Sequence, residues 1–83
     1  MQIEIRFFAS LREALGTASL SWQTEAGTVG ALRDELIARG GSHAEALARG
    51  RVVRMSLNQT MADESATLPD GAEVGFFPPV TGG

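Results

Sequence analysis

None of the 83 residues is a cysteine, and in so short a chain this is the strongest constraint on what can form. Neither a disulfide framework nor a thiolate metal site is open to it, so the fold must hold by burial and hydrogen bonding around one small core. The length accommodates one domain and leaves little room for a deep substrate cleft beside that core. A carrier, inhibitor or subunit fits better than an independent enzyme, and the lack of thiols fits a reducing cytosol.

The order of polar and apolar residues then sets the elements. MQIEIRFF places Met1, Ile3, Ile5 and Phe7 on one face and Gln2, Glu4, Arg6 and Phe8 on the other, which predicts a half-buried strand. Ser10 is expected to cap a short helix, LREAL, that Gly16 ends as a residue free to take positive φ. ASLSWQT reads as a second strand, with Leu20 and Trp22 on one face. Thr28 is the N-cap of a main helix, VGALRDELIARGG. Its Val29, Leu32, Leu36 and Ile37 form the packing side, Arg33, Asp34, Glu35 and Arg39 form a solvated one, and Gly40 and Gly41 stop it.

Residues 44 to 48 offer only a further helical turn. RVVRMSLN reads as a third strand with Val53, Met55 and Leu57 on one face. LPDGAEVGFF is a Pro-Asp-Gly turn into a last strand, with Ala72, Val74 and Phe76 facing one way and Glu73, Gly75 and Phe77 the other. This order predicts an α+β unit of four strands, a β-grasp, with one main helix packed across a mixed sheet. Residues 1–77 make the domain and 78–83 a flexible, extended tail. A ferredoxin-like sandwich is the alternative, but it needs a second substantial helix.

Net charge is −3, and the seven basic residues are arginines scattered through the chain, so nucleic acid is a poor partner. No apolar run approaches the ~20 residues of a membrane span, and the N-terminus lacks the pattern of a signal peptide, which points to the cytoplasm and away from a membrane. His43, the sole histidine, has no acid or nucleophile at a telling spacing and reads as a loop or helix-start residue. No internal set specifies catalysis or a metal site. With no lysine, the chain also offers no side-chain amine that a copy of itself could acylate.

Two features remain. The alternation that buries Phe7 and Phe76 turns Phe8 and Phe77 to the opposite sheet face as an exposed pair, which marks a docking surface that Met61 extends. The other feature is the ending, PPVTGG. Pro78 and Pro79 end the last strand and hold the chain extended, and Val80 and Thr81 follow. Gly82 and Gly83 have no Cβ and can thread a narrow channel. Six extended residues reach about 20 Å. The reactive group on offer is the Gly83 carboxylate, inert until activated; attack on ATP would convert it to an acyl adenylate that a sulfur nucleophile can open.

FFASLREALG, TVGALRDEL, the Asn-Gln-Thr turn at 58 to 60 and above all LPDGAEVGFFPPVTGG resemble the small subunits of molybdopterin synthase, ubiquitin-like sulfur carriers of molybdenum cofactor synthesis. The resemblance implies a ubiquitin-like β-grasp whose Gly83 is adenylated by an ATP-dependent, E1-like enzyme and converted to a thiocarboxylate. It implies that Gly82, Thr81, Val80, Pro79 and Pro78 thread into the large synthase subunit, where sulfur passes to cyclic pyranopterin monophosphate. It further implies a heterotetramer of two large and two small subunits, and no permanently bound cofactor, the ATP being used by the activating enzyme. A sulfur carrier for thiamine or sulfur amino acid synthesis is the nearer rival. A polyproline-type ligand is the farther one, and the sequence lacks its PxxP spacing and flanking arginine.

Overall fold

The alternation of the first residues folds as β1 (Gln2–Phe7), in which Ile3, Ile5 and Phe7 are buried and the residues between them exposed. The structure, a computed structural model, describes residues 1–79; the expected extension of Val80, Thr81, Gly82 and Gly83 lies outside the described residues. After β1 come α1 (Ala9–Leu15), β2 (Ser19–Gln23), α2 (Val29–Ala38), α3 (Gly41–Ala46), β3 (Arg54–Leu57), β4 (Thr60–Ala62) and β5 (Glu73–Phe77). The sheet order is β2-β1-β5-β3-β4, with β1 and β5 parallel and the other neighbours antiparallel. This is the mixed β-grasp sheet expected, with five strands instead of four.

The added strand, β4, follows a tight turn. Asn58 and Gln59 both take positive φ, 50° and 70°, as a two-residue hairpin of the right twist requires. Asn58 anchors that turn to β5: its N–H donates to the Glu73 carbonyl and its Oδ1 accepts from the Glu73 N–H.

The core lies between the sheet and α2. Val29, Leu32 and Leu36 are fully buried against Ile5, Val74 and Phe76, and the Phe7 and Phe76 rings stack 6.0 Å apart. Thr28 caps α2 as expected, its hydroxyl accepting from the Ala31 N–H. Gly16 ends α1 at φ 72°. Among the described residues no helix is long and apolar enough to cross a membrane.

Four local expectations are corrected. Ser10 does not cap α1: the N-cap is Phe8, without a side-chain bond, because the chain turns sharply at Ala9 (φ 52°) and the Leu11 N–H reaches the Phe8 carbonyl. Gly41 does not stop α2 but begins α3, so the short helix covers residues 41–46 and not 44–48. Glu35 is no bystander on a solvated face, since its Oε1 accepts from Trp22 Nε1 and Thr24 Oγ1 and ties α2 to the sheet edge. Arg33 is 3% exposed. Its Nε donates to the Leu47 carbonyl and its Nη2 to those of Ala48 and Arg51, so one guanidinium closes the irregular segment between α3 and β3.

Arg33→Met keeps most of the side-chain volume but leaves three carbonyls without that donor. The expected loss is about 2–4 kcal/mol in urea unfolding; an unchanged midpoint would show that water replaces the guanidinium freely.

His43 packs edge-on to Phe7 at 6.2 Å, and its Nε2 is buried with no hydrogen-bond partner. Burial, then the nearby Arg39, holds it below the ordinary histidine value. The native state therefore binds fewer protons than the unfolded chain: stability is full above the unfolded value of ~6.5 and is lost as pH falls through it toward the lower folded value. The unfolding midpoint is expected to drop between about pH 7 and about pH 5, and His43→Leu to flatten that slope; equal slopes for the two proteins would contradict this.

Candidate functional site

The candidate surface is the sheet face turned away from α2, at the end where β1 and β5 finish. Parallel pairing puts Phe7 opposite Phe76 and Arg6 opposite Gly75, so the next residues, Phe8 and Phe77, leave the two strands side by side. Their rings stack at 4.4 Å between centroids and 4° between planes. Each shields one face of the other, so the pair is half-buried and not fully exposed as expected. Antiparallel pairing sets Met61 of β4 opposite Ser56 of β3. Met61 is 54% exposed and extends the apolar surface.

Gly75 leaves room for the stacked pair. A Cβ there would sit 2.5 Å from Ser56 Oγ and 3.0 Å from the Phe8 ring, so any side chain would displace one or the other. Sequence reasoning placed Gly75 on this face but attached no role to its lack of a side chain.

Phe8, Phe77, Met61, Arg54, Pro78 and Pro79 line one shallow groove of ≈ 630 Å³. The predicted contacts Phe8, Phe77 and Met61 thus share one surface with the predicted tail residues Pro78 and Pro79. Val80, Thr81, Gly82 and Gly83 lie outside the described residues. Arg54 was missed, although the alternation that turns Val53, Met55 and Leu57 inward already puts it on the outer face. Arg6 flanks the opposite side, its guanidinium 6.0 Å from the Phe8 ring centroid and 3.8 Å from Glu73.

Two other polar places among the described residues are bonded internally. Beyond Met61 a hollow of ≈ 880 Å³ is lined by Asp63, Glu64 and Ser65 among others. There the Ser65 hydroxyl and N–H both donate to Asp63, and these bonds hold its carboxyl below the ordinary value. Arg49 is bound to Asp34, Glu64 and the Gly30 carbonyl, a network that fastens the segment after β4 to the start of α2.

Known proteins share this architecture across the whole chain. The molybdopterin synthase sulfur carrier subunit of Escherichia coli (strain K12) is 42% identical over 81 residues, covering 98% of this chain and 99% of that one. SAMP1, a small archaeal modifier protein of Haloferax volcanii, matches with a TM-score of 0.78 at 26% identity, covering 100% of both chains. A chain in the complex of subunits 1 and 2 of molybdopterin-converting factor from Helicobacter pylori matches with a TM-score of 0.69 at 27% identity, again covering 100% of both. The ThiS family model matches residues 5–83, and the chain belongs to the ThiS family.

Proposed function

We propose that this chain is the sulfur carrier subunit of a molybdopterin synthase, with its chemistry on the Gly83 carboxylate. The observation that carries the reading is the convergence of the stacked Phe8–Phe77 pair, Met61 and the Pro78–Pro79 exit on one groove. A partner docked there sits beside the point from which the last residues leave the domain. The identity with the Escherichia coli subunit supports the choice of pathway.

An α-carboxyl group is ionised at neutral pH, its pKa being roughly 3.5, and does not acylate anything unaided. On an E1-like activating enzyme, a Gly83 carboxylate oxygen attacks the α-phosphorus of ATP and pyrophosphate leaves. A persulfide sulfur then attacks the acyl carbon and AMP leaves; a second thiol reduces the S–S bond, and the tail carries a thiocarboxylate. The ATP belongs to the activating enzyme, and this chain holds no resident cofactor.

The loaded tail, Pro78 through Gly83, enters the large subunit in a heterotetramer of two large and two small subunits. The thiocarboxylate sulfur bonds to a carbon of cyclic pyranopterin monophosphate as a C–O bond at that carbon breaks, its oxygen leaving as water or staying on the opened phosphate; water then cleaves the acyl C–S bond, leaving sulfur on the pterin and the carboxylate on Gly83. Two deliveries build the dithiolene. The side chains that move protons in these steps are the partner's, and the reading places the cycle in the cytoplasm. A carrier for thiamine or sulfur amino acid synthesis would use the same tail chemistry with another acceptor.

Intact-mass analysis of the protein from cells tests the core of the reading: a fraction with one terminal oxygen replaced by sulfur is expected, together with loss of molybdopterin in a deletion strain. Normal molybdopterin in that strain would move the function to the second reading. Deleting Gly83, or adding one residue after it, should abolish adenylation and sulfur loading while leaving the unfolding midpoint unchanged, and Gly82→Leu should slow transfer sharply at the same midpoint. Transfer at the wild-type rate by either Gly83 variant would place the chemistry elsewhere, and by Gly82→Leu would show that no tight channel exists.

Phe77→Asp should weaken binding to both the large subunit and the activating enzyme by about tenfold or more without unfolding the domain, because it removes one ring and uncovers the other. The two partners should also compete for the carrier. A stable ternary complex would rule out a shared face.

A further inference from the structure

Among the side chains lining the groove at the tail root, Arg54 alone carries a charge. It lies directly across the β3–β5 ladder from Phe77 and is exposed. Arg6, on the other flank, is answered within the chain, since Glu73 lies 3.8 Å away and the guanidinium also leans over the Phe8 ring. Among the described residues Arg54 has no carboxylate at ion-pair distance. A cation without such a partner therefore stands in an otherwise uncharged groove, on a chain whose net charge is −3.

We propose that Arg54 determines specificity at this face, and that the partner it fits is a protein surface with an apolar pocket for Phe8, Phe77 and Met61 and a carboxylate opposite Arg54. The proposal rests on the sulfur-carrier reading, the partner being the subunit that receives the tail. Docking on the rings strips water from the adjacent guanidinium, and a desolvated cation left unpaired opposes binding strongly. A carboxylate answers that charge with two parallel N–H···O bonds, a geometry that suits the planar guanidinium. The pair also fixes the docking angle, because Arg54 stands to one side of the ring stack. Elsewhere the net negative charge of the chain disfavours an acidic partner, so the attraction at Arg54 selects this face during encounter. A single arginine on an acidic chain is too little for a nucleic acid backbone.

The test is a calorimetric titration of the full chain into the large synthase subunit from the same cell, at low and at high salt. Arg54→Met keeps the bulk and removes the charge; it is expected to bind about tenfold more weakly at low salt, with a shallower salt dependence. Arg54→Glu should bind more weakly still, and reversing one partner Asp or Glu to Arg should restore it. Both variants should keep the wild-type unfolding midpoint, since the side chain is exposed. Equal or tighter binding by Arg54→Met would overturn the proposal, as it would if the guanidinium were an obstacle at the interface or were already paired with the carrier's own terminal carboxylate. That result leaves sulfur transfer by the wild-type chain intact. Failure of the wild-type chain to bind the large subunit at all would instead overturn the sulfur-carrier reading, and this proposal with it.

Discussion

The parallel pairing of β1 with β5 is the constraint on which the rest depends. With Ile5 opposite Val74 and Phe7 opposite Phe76, the two strands run in phase, and each ends on a Phe-Phe step. One phase therefore serves two purposes: Phe7 and Phe76 stack inside, and Phe8 and Phe77 stack outside. A slip of one residue in either strand would send an inner ring to the outer face and an outer ring into the core. The buried contacts that stabilise the domain thus hold the docking pair in place. The ladder bond from the Phe8 N–H to the Phe76 carbonyl secures that register at the end where it matters.

A fold this small cannot leave its irregular segments to chance. Between α3 and β3 the chain has no regular hydrogen-bond ladder, yet it must deliver Val53 and Met55 to the core and Arg54 to the opposite face. Arg33 supplies the missing donors from the buried side of α2. A lysine could reach one of those carbonyls as a point charge, whereas the guanidinium fork serves three at fixed angles. At the β2 edge of the sheet, Glu35 supplies the acceptor for Trp22 and Thr24. Both are charged residues of one helix recruited inward, from opposite flanks of its apolar stripe.

That recruitment marks the limit of what could be read from sequence. The alternation of β1, the Thr28 cap and the Gly16 terminator each have a local cause, so four of the strands, the main helix and the Phe8–Phe77 face were legible. Arg33 and Glu35 follow the same 3.6-residue period as exposed charges do; only the segment folded against them, distant in sequence, decides that they are anchors. Ser10 failed as a cap because the left-handed turn at Ala9 depends on where β1 stops. The strand β4 was hidden by its brevity, Thr60–Ala62, and exists because Asn58 locks the hairpin turn onto β5. Arg54 was legible by period alone, and its place in the groove emerged only once β3 was set beside β5.

Stacking also bears on the proposed cycle. A carrier that is loaded on one protein and emptied on another must leave each in turn, so its docking face cannot be too adhesive. Burying a fully exposed Phe side chain is worth roughly 2–3 kcal/mol, but Phe8 and Phe77 already cover one face of each other before any partner arrives. The area left for a partner is correspondingly less, and the gain per ring smaller. Gly75 makes that saving possible, because a Cβ there would sit 3.0 Å from the Phe8 ring and 3.2 Å from the Phe77 ring. A side chain there would pry the pair up or apart, uncovering apolar surface in the free protein and making every partner hold it longer. On the proposed reading, the glycine beneath the rings therefore limits how tightly this face can hold either partner.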